Sequence, residues 1–243
     1  MIRSKKIKTA LFIKKANGSF YLIIKFLLEQ IFYRNKILKK KRHLINDFKI
    51  KTKDKYFKEL WFDNNIPYWH NIFEKKNLID KNLKALEIGS FEGRSAYYFL
   101  TTLKNLKLYC IDTWKGSEEQ GIQNWNNVEK NFDINMKYFQ ERFVKFKGSS
   151  SLWYQDNKDK INYFDLIYID GSHYFKDVLY DAENCWKFLK PKGIMIFDDY
   201  LWDDYKITEH NPIFGINQFL NDIKNRFNIL HVDTQLFIEK KYK

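Results

Sequence analysis

Beyond residue 53 the chain alternates short apolar runs with amphipathic stretches. Apolar runs over residues 84–88, 106–111, 143–147, 164–169 and 194–197 predict five strands. Between them, residues 126–138, 178–189 and 215–226 place apolar side chains at helical spacing, and a helix opens at Ala96 just after the first strand. The helix over 178–189 is expected to stop ahead of Pro191-Lys192-Gly193. Two helices over 56–62 and 68–76, split by Pro67, precede the first strand. Strands over 227–232 and 235–239, joined by a turn at Asp233, close the chain.

Strands that alternate with helices imply a parallel sheet covered on both faces, and two tightly joined final strands add an antiparallel edge. The expected architecture is α/β: a doubly wound, Rossmann-like, seven-stranded, mostly parallel sheet with an antiparallel edge strand and an N-terminal helical arm. Charge marks the arm. Residues 1–53 hold 16 Lys and Arg against Glu29 and Asp47, a net +14, whereas residues 54–243 hold 27 against 28, a net −1. The expected division is therefore a basic helical arm over 1–53 and a catalytic domain over 54–243. Phe20 to Leu28 is apolar but interrupted by Lys25, and falls short of the roughly 20 residues a membrane span needs. The arm fits three partners: its own domain or a second copy, an anionic membrane surface, or nucleic acid phosphates as a less favoured third. Cys110 and Cys185 sit in apolar segments without metal-ligand spacing, which points to a reducing, cytoplasmic setting, with attachment at the inner membrane face as the arm's alternative.

In open α/β sheets the ligand lies over the carboxyl ends of the strands, so those ends are where chemistry is sought. The first gives Glu87-Ile88-Gly89-Ser90-Phe91-Glu92-Gly93-Arg94-Ser95. Two glycines let the backbone approach a ligand, and the open N–H groups of the helix start suit a carboxylate. Glu87 suits an amine, so an amino-acid conjugate such as S-adenosylmethionine fits. The spacing is not the G-x-G-x-x-G of dinucleotide binders. The second strand ends in Asp112-Thr113-Trp114, an acid placed to accept ribose hydroxyls. The third gives Gly148-Ser149-Ser150, suited to an adenine edge. The fourth gives Asp170-Gly171-Ser172-His173, and the fifth Asp198-Asp199-Tyr200. Acids gathered at one end of a sheet repel unless a cation intervenes, and Asp170, Asp198 and Asp199 form a candidate oxygen set for Mg²⁺. His173 is a candidate base. Each segment has a plainer reading as a cap, a turn or a solvated loop.

As an ordered set these motifs, with Ile111-Asp112-Thr113-Trp114-Lys115-Gly116, the run from Phe164 to His173, and Leu189-Lys190-Pro191-Lys192-Gly193, resemble the class I S-adenosylmethionine-dependent methyltransferases. More narrowly, they are similar to the branch that includes macrolide-sugar O-methyltransferases and cephalosporin-hydroxylase-like proteins. The resemblance covers residues 55–240. It implies that Glu87, Gly89 and Gly93 surround the methionine moiety, that Asp112 binds the ribose, that Trp114 flanks the adenine with Ser149 and Ser150 at its edge, and that Ser90, Phe91, Ser95 and Thr113 also bind the cofactor. Ser149 stands where the family often has Asp. The resemblance further implies Asp170, Asp198 and Asp199 as metal ligands, with Asp170 also beside the cofactor and catalytic, and His173 as the base. Lys192 replaces a commoner glycine, harmlessly if Gly193 suffices. Trp202, Tyr205, His210, Pro212 and Phe214 are expected to form a lid, with Trp61, Asn64, Asn65 and Trp69 on the other side. The acceptor would be a hydroxyl on a small molecule or glycan. An RNA-directed enzyme or RNA-binding protein, and an oxygenase-like or non-catalytic relative, are the alternatives.

Overall fold

The computed structural model describes residues 2–116 and 127–242. The strands are β1 (Asn82–Ile88), β2 (Asn105–Asp112), β3 (Phe143–Lys147), β4 (Phe164–Ile169), β5 (Leu189–Phe197), β6 (Phe227–Val232) and β7 (Leu236–Lys240). They form one seven-stranded sheet in the order β3-β2-β1-β4-β5-β7-β6. Pairs β1-β2, β2-β3 and β4-β5 are parallel, and β7 runs antiparallel to both β5 and β6. The helices are α1 (Ile2–Lys15), α2 (Phe20–Leu28), α3 (Arg34–Lys41), α4 (His43–Lys51), α5 (Ile66–Lys75), α6 (Arg94–Thr102), α7 (Val128–Met136), α8 (Ser150–Asp156), α9 (Phe175–Phe188) and α10 (Pro212–Asp222). The chain divides into two compact units, residues 37–159 and residues 1–36 with 160–243.

In the unit of residues 37–159, β1 buries Leu83, Ala85, Leu86 and Ile88. Aromatic edges fill the space beside α5: Trp69 meets Phe62 at 4.9 Å and Phe99 at 4.6 Å between ring centroids. Each such pair adds about 0.5–1.5 kcal/mol beyond the area it buries. Trp69 is therefore core, fully buried on α5, and does not belong to a lid. The helix expected over 56–62 is replaced by an irregular segment and a 3₁₀ turn at Trp61–Asn65. Side chains from elsewhere take its backbone donors: Tyr56 N–H donates to Asn135 Oδ1 at 2.8 Å and Lys58 N–H to Glu92 Oε2 at 2.6 Å. Pro67 does not split two helices; it sits in the first turn of α5, where a missing N–H costs nothing. The helix expected over 126–138 is α7 and a following 3₁₀ turn; its residue 126 lies outside the described residues.

In the other unit, Pro191-Lys192-Gly193 does not interrupt the chain between helix and strand. β5 begins at Leu189 and carries the segment, with a register shift against β4. The left-handed residue is Lys192, at φ +66°, and not Gly193. Gly193 is needed for space, since a Cβ there would come within 2.7 Å of Leu189 Cδ1. The strain is thus carried by a lysine, against the expectation that Gly193 relieves it. The first part of the basic arm packs here by its inner face. Ile13, Leu22 and Phe26 are buried, Asn217 Nδ2 donates to Ala16 O at 2.9 Å, and Arg34 Nε lies 3.6 Å from Asp233. His231 Nδ1 stands 3.4 Å from the buried Glu29, whose carboxyl is held below its usual range by His231 and Lys25 despite the opposing burial. Among the described residues no helix is long and apolar enough to cross a membrane.

Candidate active site

The turn after β1 is built by residues in unusual backbone states. Gly89 and Gly93 have φ of +86° and +81°, and between them Phe91 takes φ +47°, a value that bulky residues rarely adopt. A Cβ on Gly93 would also press on Phe132 at 3.0 Å. Trp114, after β2, is similarly left-handed at φ +52°. Its indole N–H donates to Phe91 O at 2.8 Å, so the two turns are stitched together. Such strain persists only where surroundings over-determine it, and it concentrates at functional sites.

The acids of these turns are answered locally. Ser90 and Ser95 hydroxyls donate to the two oxygens of Glu87 at 2.7 and 2.6 Å. Glu87 has no exposure, and burial pushes its carboxyl up to about 7 against the two serines. Asp112 accepts Phe91 N–H on Oδ2 at 2.7 Å and Trp114 N–H on Oδ1 at 2.6 Å. Burial raises its carboxyl while these backbone donors oppose the rise. Thr113 Oγ1 accepts Lys115 N–H at 3.2 Å. Ser149 N-caps α8, accepting Leu152 N–H at 3.3 Å, and Ser150 opens that helix, which the apolar pattern did not predict.

Two residues quoted in the motif without a role anchor the turn. Arg94 forms a buried two-pronged pair with Asp63 at 2.6 and 2.8 Å, fixing the 3₁₀ turn before α5. Glu92, also buried, accepts Lys58 N–H and, at 2.8 Å, Asn131 Nδ2, tying in the irregular segment and α7. Trp61 is exposed and stacks on Phe91 at 5.7 Å. Partners 31 and 39 residues apart leave no periodic signal.

In the unit of residues 1–36 and 160–243, the ends of β4 and β5 bring Asp170, His173 and Asp199 together. One ligand atom of each lies within 4.8 Å of the others, and all three are half-buried. Asp199 sits at φ +50°, a conformation Asp tolerates, and its Oδ2 is 2.7 Å from His173 Nε2. Trp202 stacks on the His173 ring at 4.9 Å. Asp198 is engaged differently. Its Oδ1 accepts Gln235 Nε2 at 2.8 Å and its Oδ2 lies 2.7 Å from the Tyr168 hydroxyl, which is also 2.8 Å from Asp170 Oδ2. Burial and the Asp199 charge push Asp198 up to about 6. Burial and both carboxylates drive the Tyr168 phenol up. Tyr168 lies on β4 and Asp170 just past its end, two residues on and so toward the same face, a signal the sequence did contain. Gln235, on the β6–β7 connection, had none. Of the expected lid, Tyr205 and His210 pack with Tyr174 and Trp202, and Pro212 begins α10.

Residues 86–200 match the family described as a methyltransferase domain. The uncharacterized protein R132 of Acanthamoeba polyphaga mimivirus is 29% identical over 177 residues, 71% of this chain and 76% of that protein. Among solved structures, the fold is shared with the MycE methyltransferase of the mycinamycin biosynthetic pathway, crystallised with Mg, SAH and mycinamycin VI. The TM-score is 0.56 and the identity 16%, over 81% of this chain and 54% of MycE, so the chain spans about half of that protein's length. An O-methyltransferase from Bacillus cereus in complex with SAH matches with a TM-score of 0.55 and 15% identity, over 90% of this chain and 97% of that one. Residues 86–200 thus carry the likeness to a methyltransferase domain, set in the seven-stranded sheet and the glycine turn after β1, and the fold is the one that these solved structures share.

Proposed function

We propose that the chain moves a methyl group from S-adenosylmethionine to a hydroxyl of a small molecule or glycan, with a divalent cation held by Asp170 and Asp199. The observation that carries this reading is the convergence of Asp170, His173 and Asp199 at the ends of β4 and β5. Carboxylates held that close repel unless a cation or a proton intervenes. Two carboxylates with water and substrate oxygens suit Mg²⁺ or Mn²⁺. The presence of Mg, SAH and mycinamycin VI in MycE supports the same reading on a shared fold.

When bound, the cation lowers the pKa of a substrate hydroxyl and the sulfonium offers an electrophilic methyl group. Asp199 and the Trp202 ring hold the His173 imidazole in one orientation, from which a ring nitrogen takes the hydroxyl proton. Tyr168 and Gln235 fix Asp198, and through the shared phenol Asp170, so that the acids keep their spacing without the substrate. At the other site Asp112, held in place by the backbone N–H groups of Phe91 and Trp114, is the acid that accepts the ribose hydroxyls. Gly89, Ser90, Phe91, Gly93 and Ser95 shape the backbone for the methionine end, with Glu87 beneath. Thr113, Trp114, Ser149 and Ser150 border the adenine end.

Calorimetric titration with Mn²⁺ tests the metal half of the proposal. Cation binding requires a neutral imidazole and ionised carboxylates, so it releases protons and tightens as pH rises. Asp170→Asn should weaken it by on the order of a hundredfold. Equal Mn²⁺ binding by wild type and variant contradicts the proposed ligand set.

A further inference from the structure

The helix α2 and the π-helical turn after it, Glu29–Tyr33, are apolar on both faces. One face is accounted for: Leu22 and Phe26 are buried, as are Glu29 and Gln30. The opposite face is not. Phe20, Ile24, Leu28 and Phe32 follow one another at steps of four, the spacing of a single helix face, with Tyr21 and Ile31 beside them. All six are exposed, Phe20 at 76% and Phe32 at 62%. A surface helix ordinarily turns its polar side outward, and a helix apolar all round is one that something covers. Six adjacent large apolar side chains make a contiguous patch rather than scattered exposure.

Charge decides what covers it. On α1, Ile7 and Leu11 are exposed one turn apart, and Lys8, Lys14 and Lys15 are exposed on the same side of that helix by their spacing. Residues 1–36 carry nine Lys and Arg against the single acid Glu29. A second copy of this chain would bring an equally basic arm against the first. Nucleic acid phosphates would match the lysines and leave the apolar face wet. An anionic bilayer matches both, since phenylalanine and isoleucine enter the acyl boundary while lysines stay at the headgroups. The apolar stretch of 14 residues is about 20 Å long as a helix, against a hydrocarbon core of about 30 Å. It lies on such a surface and does not cross it.

We infer that the outward face of α2 and the adjoining π-helical turn, with the lysines of α1, docks this protein onto an anionic lipid bilayer. The inference stands apart from methyl transfer, and its test uses neither methyl donor nor acceptor. The full chain is sedimented with phosphatidylcholine vesicles with and without phosphatidylserine. Binding to the anionic vesicles should exceed binding to neutral ones by on the order of tenfold or more. The variant Phe20→Ser/Ile24→Ser/Phe32→Ser should lose on the order of a hundredfold of that binding. Its melting curve should match wild type, because the altered side chains are exposed. Lys8→Glu/Lys14→Glu/Lys15→Glu should abolish the preference for phosphatidylserine. Failure of the wild type to sediment, or equal sedimentation of the triple serine variant, overturns the inference. So does a wild-type dimer in solution that the serine variant dissolves, which would make a second copy the occupant. RNA binding that displaces the vesicles in proportion to the lysines alone would overturn it as well.

Discussion

In residues 37–159 the acids around the glycine turn are answered by donors of that unit. Ser90 and Ser95 close on Glu87, backbone N–H groups close on Asp112, and Arg94 closes on Asp63. In the other unit Asp170, His173 and Asp199 face one another across less than 4.8 Å. The first set spends its charge on holding a strained backbone in place. The second brings two carboxylates beside one imidazole, the arrangement on which the proposed cation site rests.

Glu87 carries the largest expected effect. Its folded carboxyl titrates near 7 against an ordinary value of 4.5. A carboxyl raised on folding favours the folded state at low pH. That contribution is fully present below about 4.5 and is lost as pH rises through about 7, a fall of about 3 kcal/mol. Glu87→Gln should remove this slope. Denaturant unfolding of wild type and variant at about pH 5 and about pH 8 reads the difference. An unchanged slope in the variant would mean that Glu87 is not the group the turn strains against.

A smaller effect sharpens the other side. Asp199→Asn keeps a residue that tolerates φ +50° and removes a charge that raises Asp198. Stability should stay within about 1 kcal/mol of wild type or rise, while the response to Mn²⁺ is lost. A loss above about 2 kcal/mol would place Asp199 with the self-satisfied acids of the first unit.

The strands were legible because short runs rich in apolar, β-branched and aromatic residues alternate with stretches of helical spacing and end at turn signals. Residues 143–147, 164–169 and 227–232 form β3, β4 and β6 with the expected bounds. The acids at the strand ends were legible from the same alternation. Failures came where distant side chains decide local structure. The 56–60 segment loses its helix to Asn135 and Glu92, and the Pro191 segment joins a strand because β4 and β7 flank β5. Tyr168 and Gln235 were missed for a related reason. Their importance lies in what they hold, and Gln235 is 37 residues from the acid it fixes.

The turns after β1 and β2 are proposed to hold S-adenosylmethionine, and calorimetric titration of the full chain with that ligand decides whether they do. Wild type should bind, and Asp112→Ala should bind on the order of tenfold to a hundredfold more weakly, with the loss read as affinity rather than as unfolding. No heat of binding from the wild type, or equal affinity in the two proteins, would contradict it.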